Sequence, residues 1–116
     1  MAEYRFIVLS NPVPGREDEY NDWYDGRHVD DVLKIPGFVR VQRFEYADPL
    51  RDDPPKHKYL SIYDIESDDI AKTAGLLVAA AGTSRMPISD ALEENANAII
   101  YRALGPAKEK PAPEER

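Results

Sequence analysis

Residues 20–38 read YNDWYDGRHVDDVLKIPGF. Apolar and aromatic side chains recur in this stretch at steps of three and four. This spacing predicts one face of a helix that begins near Glu17 and runs for about five turns. The helix should end at Ile35, because a residue that precedes proline is pushed out of the helical region of backbone space. The aromatic and aliphatic face of this helix needs an apolar surface to pack on, and the flanking sequence supplies one.

On both sides of this helix the period changes from helical to alternating. The segments before and after it are rich in β-branched and aromatic residues, which is typical of strands. A long polar connection at 48–56 separates the second and third predicted strands, which we expect to pair antiparallel. Ser67 is the expected N-terminal cap of a second helix. Another helical piece is expected within residues 84–95, after Pro87. The predicted strands cover 4–10, 38–46, 59–65 and 97–104, and the second helix covers 70–81.

The resulting order, β-α-β-β-α-β, defines the expected architecture. It predicts a ferredoxin-like α+β fold in which a four-stranded antiparallel sheet carries its helices on one face. A sheet that is half exposed to water should alternate cleanly between apolar and polar residues. The first three strands instead carry apolar residues on both alternations. We therefore expect a second copy of the chain to cover the bare face of the sheet, giving a homodimer.

Composition bounds the class of protein. The chain has 116 residues, enough for one domain, and we expect that domain to span 1–104. Residues 105–116 contain no large apolar side chain and are predicted to form a disordered tail. A net charge of −7 argues against binding to nucleic acid. The chain has no cysteine, no apolar run long enough to span a bilayer and no signal-peptide pattern, so a cytoplasmic location is the default expectation.

His28 is the candidate for chemistry. It lies four residues after Tyr24 and four before Val32, so its imidazole should face the sheet beside Trp23. A buried imidazole needs hydrogen-bond partners, and burial lowers its pKa, which leaves a neutral base near pH 7. The ordinary alternative is a core histidine whose nitrogens are satisfied. Asp31 shares the same face, and this concentration of ionisable groups favours a functional site over simple packing.

Other candidate ligand-binding groups lie on the strands. Arg40 and Arg43 project to opposite faces of the second strand, and the inward one should meet a carboxylate, either Glu45 or a substrate. Tyrosine hydroxyls could also bind a ligand, or they could be exposed to water at the edge of the core. The candidates are Tyr59, Tyr63 and Tyr101. His57 is expected to be a solvated loop histidine. Two separated histidines are a poor metal signature, and no phosphate-binding loop or serine-triad motif is present.

The first helix and the turn after it resemble the dimeric α+β barrel superfamily, and within it the EthD-like proteins. The likeness rests on Trp23-Tyr24, His28, Asp31-Val32-Leu33, Ile35-Pro36-Gly37-Phe38 and Arg43-Phe44. The resemblance implies a ferredoxin-like protomer, a dimer whose two sheets form a barrel, and a pocket between helix and sheet, commonly without a cofactor. It also implies that a histidine on the first helix faces that pocket, and His28 matches this position.

Two functions remain open at this point. The first is an enzyme without metal or cofactor that isomerises, cyclises or eliminates from a small organic acid or aromatic-derived compound. In such an enzyme His28 is the general acid or base. Tyr24 or Tyr63 orients His28 or binds a developing oxyanion, and Arg43 holds the carboxylate of the substrate. Trp23 and Asp31 complete the predicted binding residues. The second is a dimeric barrel protein that binds an aromatic or haem-like ligand without turnover.

Overall fold

Four strands and a helical layer make up the computed structural model, which describes residues 1–113. The helical layer consists of α1 (Glu17–Trp23), a π-helical segment (Tyr24–His28), α2 (Val29–Leu33) and α3 (Ile70–Ala80). The strands are β1 (Ala2–Ser10), β2 (Phe38–Glu45), β3 (Tyr59–Ser67) and β4 (Asn97–Arg102). The predicted order of elements is confirmed, and the boundaries of the four strands and of the two main helices lie within two residues of the predicted ones.

The strands form one antiparallel sheet in the order β2-β3-β1-β4. β1 is central and pairs with β3 on one side and β4 on the other. β2 pairs with β3 across the long polar connection, with an irregularity in register between Phe38 and Arg40. The helices cover one face of this sheet, so the ferredoxin-like α+β fold expected from the sequence is confirmed.

The core lies between the helices and the inner face of the sheet. Alternate residues of β3 are buried from Tyr59 to Ser67, and their neighbours on the strand are more exposed, which is the period-two pattern of a sheet packed on one side. One cluster of core residues lies under α2 and α3; it comprises Val32, Ile35, Phe38, Tyr63, Ile65, Ala80 and Met86. A second cluster lies under α1 and the π-helical segment and comprises Tyr20, Tyr24, Tyr59 and Ala91.

The first helix differs from the prediction in one respect. It is continuous from α1 to α2, but the segment Tyr24–His28 is π-helical. A π-helical turn holds more residues than an α-helical one, so side chains five apart, rather than four, lie above one another. Trp23 and His28 are five apart, and their rings stack. Such segments occur often at functional sites, because they change where a side chain points.

Two predicted local features are wrong. Asp69, not Ser67, caps α3, and its carboxylate accepts a hydrogen bond from the backbone N–H of Lys72 at 3.2 Å. Residues 84–95 contain no helix, because their backbone groups bond elsewhere. The carbonyl of Ala91 accepts from Val13 at 2.7 Å, and the N–H of Glu93 donates to Asn11 at 2.9 Å. This segment is therefore tied to the loop after β1.

The outer face of the sheet carries no helix and is largely apolar. Residues that pair across the strands share a face, and the outer set is Ile7, Leu9, Phe44, Leu60, Ile62, Ile99 and Tyr101. Ile99 is 43% exposed and Tyr101 is 56% exposed. Charged residues occupy one end of this face. Asp64 pairs with Arg5 at 3.0 Å and with Arg40 at 2.6 Å, and Glu3 lies opposite Glu66.

Residues 105–113 are exposed and have no regular secondary structure. The last three residues of the predicted tail lie outside the described residues, and the disordered tail stays a prediction. Among residues 1–113, no helix combines the length and the apolar character needed to cross a bilayer.

Candidate functional site

His28 lies between two aromatic rings. Its imidazole stacks on Trp23 with ring centroids 4.5 Å apart and 25° between planes, and it meets Tyr24 edge-on at 5.1 Å. The indole N–H of Trp23 donates to the carbonyl of Pro87 at 3.0 Å, which fixes the ring on which His28 rests. The stack follows from the π-helical segment and could not be read from α-helical spacing.

The side chain of His28 is part-buried, and its imidazole is incompletely hydrogen-bonded. Its Nδ1 atom has no partner among the described residues. Burial lowers the pKa of His28 from 6.5 to about 4, and the carboxylate of Asp31 opposes this shift in part. The ring is therefore neutral at pH 7. The ordinary alternative was a core histidine whose two ring nitrogens both form hydrogen bonds. His28 differs from it, because Nδ1 has no partner among the described residues.

Arg43 is the inward-facing arginine of β2. Its guanidinium donates to Asp25 at 2.8 Å and to Asn21 at 2.9 Å, and it lies 4.4 Å from the ring centroid of Tyr24. Its Nε atom is buried without a partner. The expectation that Glu45 would pair with it is wrong, since Asp25 lies closer and Glu45 instead approaches Lys58 at 3.8 Å.

Tyr63 lies on β3 beneath the first helix and is 1% exposed. Its hydroxyl has no hydrogen-bond partner of acceptable geometry in the described chain. Burial raises the pKa of the Tyr63 phenol well above its ordinary value, and the nearby Tyr24 raises it further. This hydroxyl is therefore a protonated donor at any physiological pH.

A matched pair of variants tests whether this hydroxyl is unsatisfied. Tyr63→Phe removes an unpartnered buried group, so we expect the free energy of unfolding to rise by about 0.5–1 kcal/mol. Tyr20→Phe leaves the buried Ser10 hydroxyl without the 2.6 Å bond it shares with Tyr20. That variant should lose about 1–2 kcal/mol. Urea unfolding of both variants measures the difference, and a loss of equal size in both would show that Tyr63 has a partner.

The structure brings most of the predicted site residues together around Tyr24. His28, Trp23, Arg43 and Tyr63 all neighbour its ring or hydroxyl. Asp31 is separate. It is 5% exposed and binds Arg27 at 2.9 Å and Lys34 at 3.8 Å, in a cleft between α2 and α3.

Sequence reasoning missed three residues that shape this region: Tyr20, Asn21 and Asp25. The helical spacing placed Tyr20 on the inner face, but nothing in the sequence connects Asn21 or Asp25 to a strand 20 residues further on. Two other expectations are settled by contacts. His57 is part-buried and bonds the Asn95 carbonyl at 2.7 Å, so it is not fully solvated. Tyr101 lies on the outer face, away from Tyr24.

A groove of about 340 Å³ opens over Arg43 at the edge of β2. Its walls are Asp25, Arg43, Phe44, Glu45 and Tyr59. The Asp25–Arg43 ion pair forms part of this wall. Its carboxylate side chain is 67% exposed and its arginine side chain is 15% exposed. Within the described part of the chain, no three His, Asp or Glu side chains lie close enough together to hold a metal ion.

Comparison with known proteins identifies the class of fold. No protein-family model matches the chain, and no curated protein matches it. A candidate monooxygenase from Shewanella loihica PV-4 matches with a TM-score of 0.58 and 19% identity, over 91% of this chain and 99% of that one. A candidate antibiotic biosynthesis monooxygenase from Nitrosomonas europaea matches with a TM-score of 0.60 and 19% identity, over 91% and 94%.

A dabb family protein with a ferredoxin-like fold, from Mesorhizobium loti, has a TM-score of 0.60 and 14% identity, over 90% of this chain and 100% of that one. These similarities span nearly the whole of each neighbour. They show that the ferredoxin-like fold of this chain is shared with these proteins. At such identities the likeness concerns the fold, and the reaction must be argued from the residues of this chain.

Proposed function

We propose that this protein binds a small organic acid between the first helix and the sheet, and that His28 transfers a proton to or from it without a cofactor. The observation that supports the proposal is a group of buried polar atoms without partners. The Nδ1 of His28, the hydroxyl of Tyr63 and the Nε of Arg43 are all in this state, and all three side chains neighbour Tyr24.

Unsatisfied groups of this kind are unusual in a folded core. Each costs about 1–3 kcal/mol relative to a hydrogen-bonded group, and native proteins retain few of them. Three of the four such atoms in the described chain lie around the ring of Tyr24. A bound molecule with acceptor and donor atoms would satisfy them, so their cost in the free protein favours binding.

Each side chain then has a role that its environment suits. His28 is neutral at pH 7 and can accept a proton, and an anionic substrate beside it would raise its pKa toward the range in which a general base is efficient. Tyr63 remains protonated and can donate to a developing oxyanion. Arg43 can exchange the carboxylate of Asp25 for that of a substrate, because the Asp25 side chain is 67% exposed and water can solvate it when it leaves.

Isomerisation, cyclisation and elimination all fit this set of groups, since each requires proton transfer in a site from which water is excluded. The runner-up is a protein that binds an aromatic or haem-like ligand in the same place without turnover. The two differ in whether a carbon-bound proton of the ligand is exchanged.

Exchange with deuterium tests the proposal without knowledge of the product. The protein is incubated in D₂O with a panel of small aromatic acids and lactones, and loss of carbon-bound proton signals is followed by NMR. We expect one compound class to exchange at a carbon next to its carboxyl or carbonyl group. Binding without exchange would support the ligand-binding alternative, and neither binding nor exchange would overturn both.

We also propose that the protein is a homodimer joined through the outer face of the sheet. The support is the group of apolar side chains on this face, which a monomer would leave in contact with water. Its two exposed β4 residues, Ile99 and Tyr101, would be buried between two sheets.

Ile99→Glu should convert the dimer to a monomer, because it places a charge in the apolar contact. Val78→Glu is the matched control: Val78 is 75% exposed on α3, on the helical side of the molecule, and its variant should remain dimeric. Sedimentation velocity distinguishes the two states. A wild-type monomer, or a dimer insensitive to Ile99→Glu, would contradict this arrangement.

A further inference from the structure

A second cavity lies on the helical side of the molecule, apart from the Tyr24 region. It is a cleft of about 340 Å³ between α2 and α3, closed at one end by the turn that follows α3. Arg27, Lys34 and Arg85 lie around it, and Ile35, Leu76 and Met86 form apolar wall. We call it the α2–α3 cleft.

The charge of the α2–α3 cleft opposes that of the whole protein. The chain has a net charge of −7, yet three cations here face one carboxylate, Asp31. That carboxylate is already held by Arg27 at 2.9 Å and Lys34 at 3.8 Å. Arg27 also donates to the carbonyl of Ser84 at 3.1 Å, which fixes it against the turn. Arg85 forms no ion pair with any residue of the described chain, so its charge is free for a ligand.

The wall of the α2–α3 cleft is apolar and in part reaches the core. Ile35 and Met86 are core residues, whereas Leu76 is 39% exposed at the mouth. The volume is at the lower end of the range for small-molecule sites. An inorganic anion would leave this wall in contact with water, and an uncharged apolar molecule would leave Arg85 unpaired. The ligand that satisfies both is a small amphipathic anion.

We propose that the α2–α3 cleft binds a monocarboxylate with a short apolar chain, its carboxylate on Arg85 and Lys34 and its chain against Leu76, Ile35 and Met86. This site is separate from the reaction proposed at His28. A failure of either proposal leaves the other standing, because the α2–α3 cleft needs no proton transfer and binding at Tyr24 needs no occupant here.

Titration calorimetry of the full chain with octanoate tests the proposal. Octanoate should bind, and both acetate and octanol should bind at least about tenfold more weakly, since each lacks one half of the recognition. Arg85→Gln should weaken octanoate binding by about tenfold. Lys72→Gln is the matched control, because Lys72 is an exposed cation of the neighbouring helix α3 that lies outside the α2–α3 cleft. It should bind octanoate as the wild type does.

A second variant tests whether octanoate binds in the α2–α3 cleft or at another place on the protein. Ala79→Trp fills the α2–α3 cleft from an exposed position and should abolish octanoate binding, whereas the Lys72→Gln control should retain it. Vesicles of anionic phospholipid distinguish a free acid from a membrane surface, and we expect no co-sedimentation. Octanoate binding that survives Arg85→Gln and Ala79→Trp, or binding to vesicles alone, would overturn the proposal.

Discussion

His28→Gln is expected to slow deuterium exchange of the substrate by about a hundredfold or more, while the protein stays folded. Glutamine retains a polar group in the space beside Trp23 but cannot accept and return a proton near neutral pH. Binding should change far less than the rate, because Arg43 and Tyr63 are untouched. The rate is measured in D₂O by NMR, and circular dichroism verifies the fold of the variant.

The matched control for this variant is His57→Gln. His57 is the other histidine of the chain. It bonds the Asn95 carbonyl at 2.7 Å and takes no part in the stack on Trp23. Its variant should exchange substrate at the wild-type rate. Equal rates in wild type and His28→Gln would remove His28 from the mechanism, whatever the ligand.

Stability should fall by about 2 kcal/mol between pH 7 and pH 5 because of His28 alone. The pKa of His28 is 6.5 before folding and about 4 in the folded protein. Below pH 6.5 the unfolded chain therefore takes up a proton that the folded chain does not. The stabilising contribution is present above pH 6.5, falls as the pH drops and is fully lost below about pH 4, where both states are protonated.

Urea unfolding at pH 5 and pH 7 measures this effect, with His28→Gln as the comparison. The variant should lose about 2 kcal/mol less than the wild type over this interval. Glu17, whose pKa is lowered by its hydrogen bonds to Lys58 and Tyr59, is common to both proteins and cancels in the difference. A wild type and a variant with the same pH dependence would show that the imidazole is not buried as described.

The fold could be predicted because segments with the helical spacing of three and four residues follow segments typical of strands, in an order that is plain along the chain. Burial of His28 and Tyr24 followed from their spacing of four. The stack of His28 on Trp23 did not, because an α-helical wheel separates residues five apart and only the π-helical segment brings them together. No sequence rule places that segment.

Contacts between distant parts of the chain were beyond prediction for a different reason. Arg43 needed a carboxylate, and its strand neighbour Glu45 was the obvious choice, but the tertiary fold brings Asp25 to it. The segment 84–95 has helix-compatible residues, yet its backbone bonds to Asn11 and Val13. In both cases a long-range partner competes with a local one, and only packing decides between them.

The most direct test of the central claim is an NMR titration of the two histidines, alone and with the compound class that undergoes exchange. We expect that one histidine, lost from the spectrum of His28→Gln, titrates near pH 4 and that its titration moves to higher pH when a carboxylate ligand binds. A His28 that titrates near pH 6.5, or one that stays near pH 4 with every compound, would contradict a proton-transferring histidine in a ligand site.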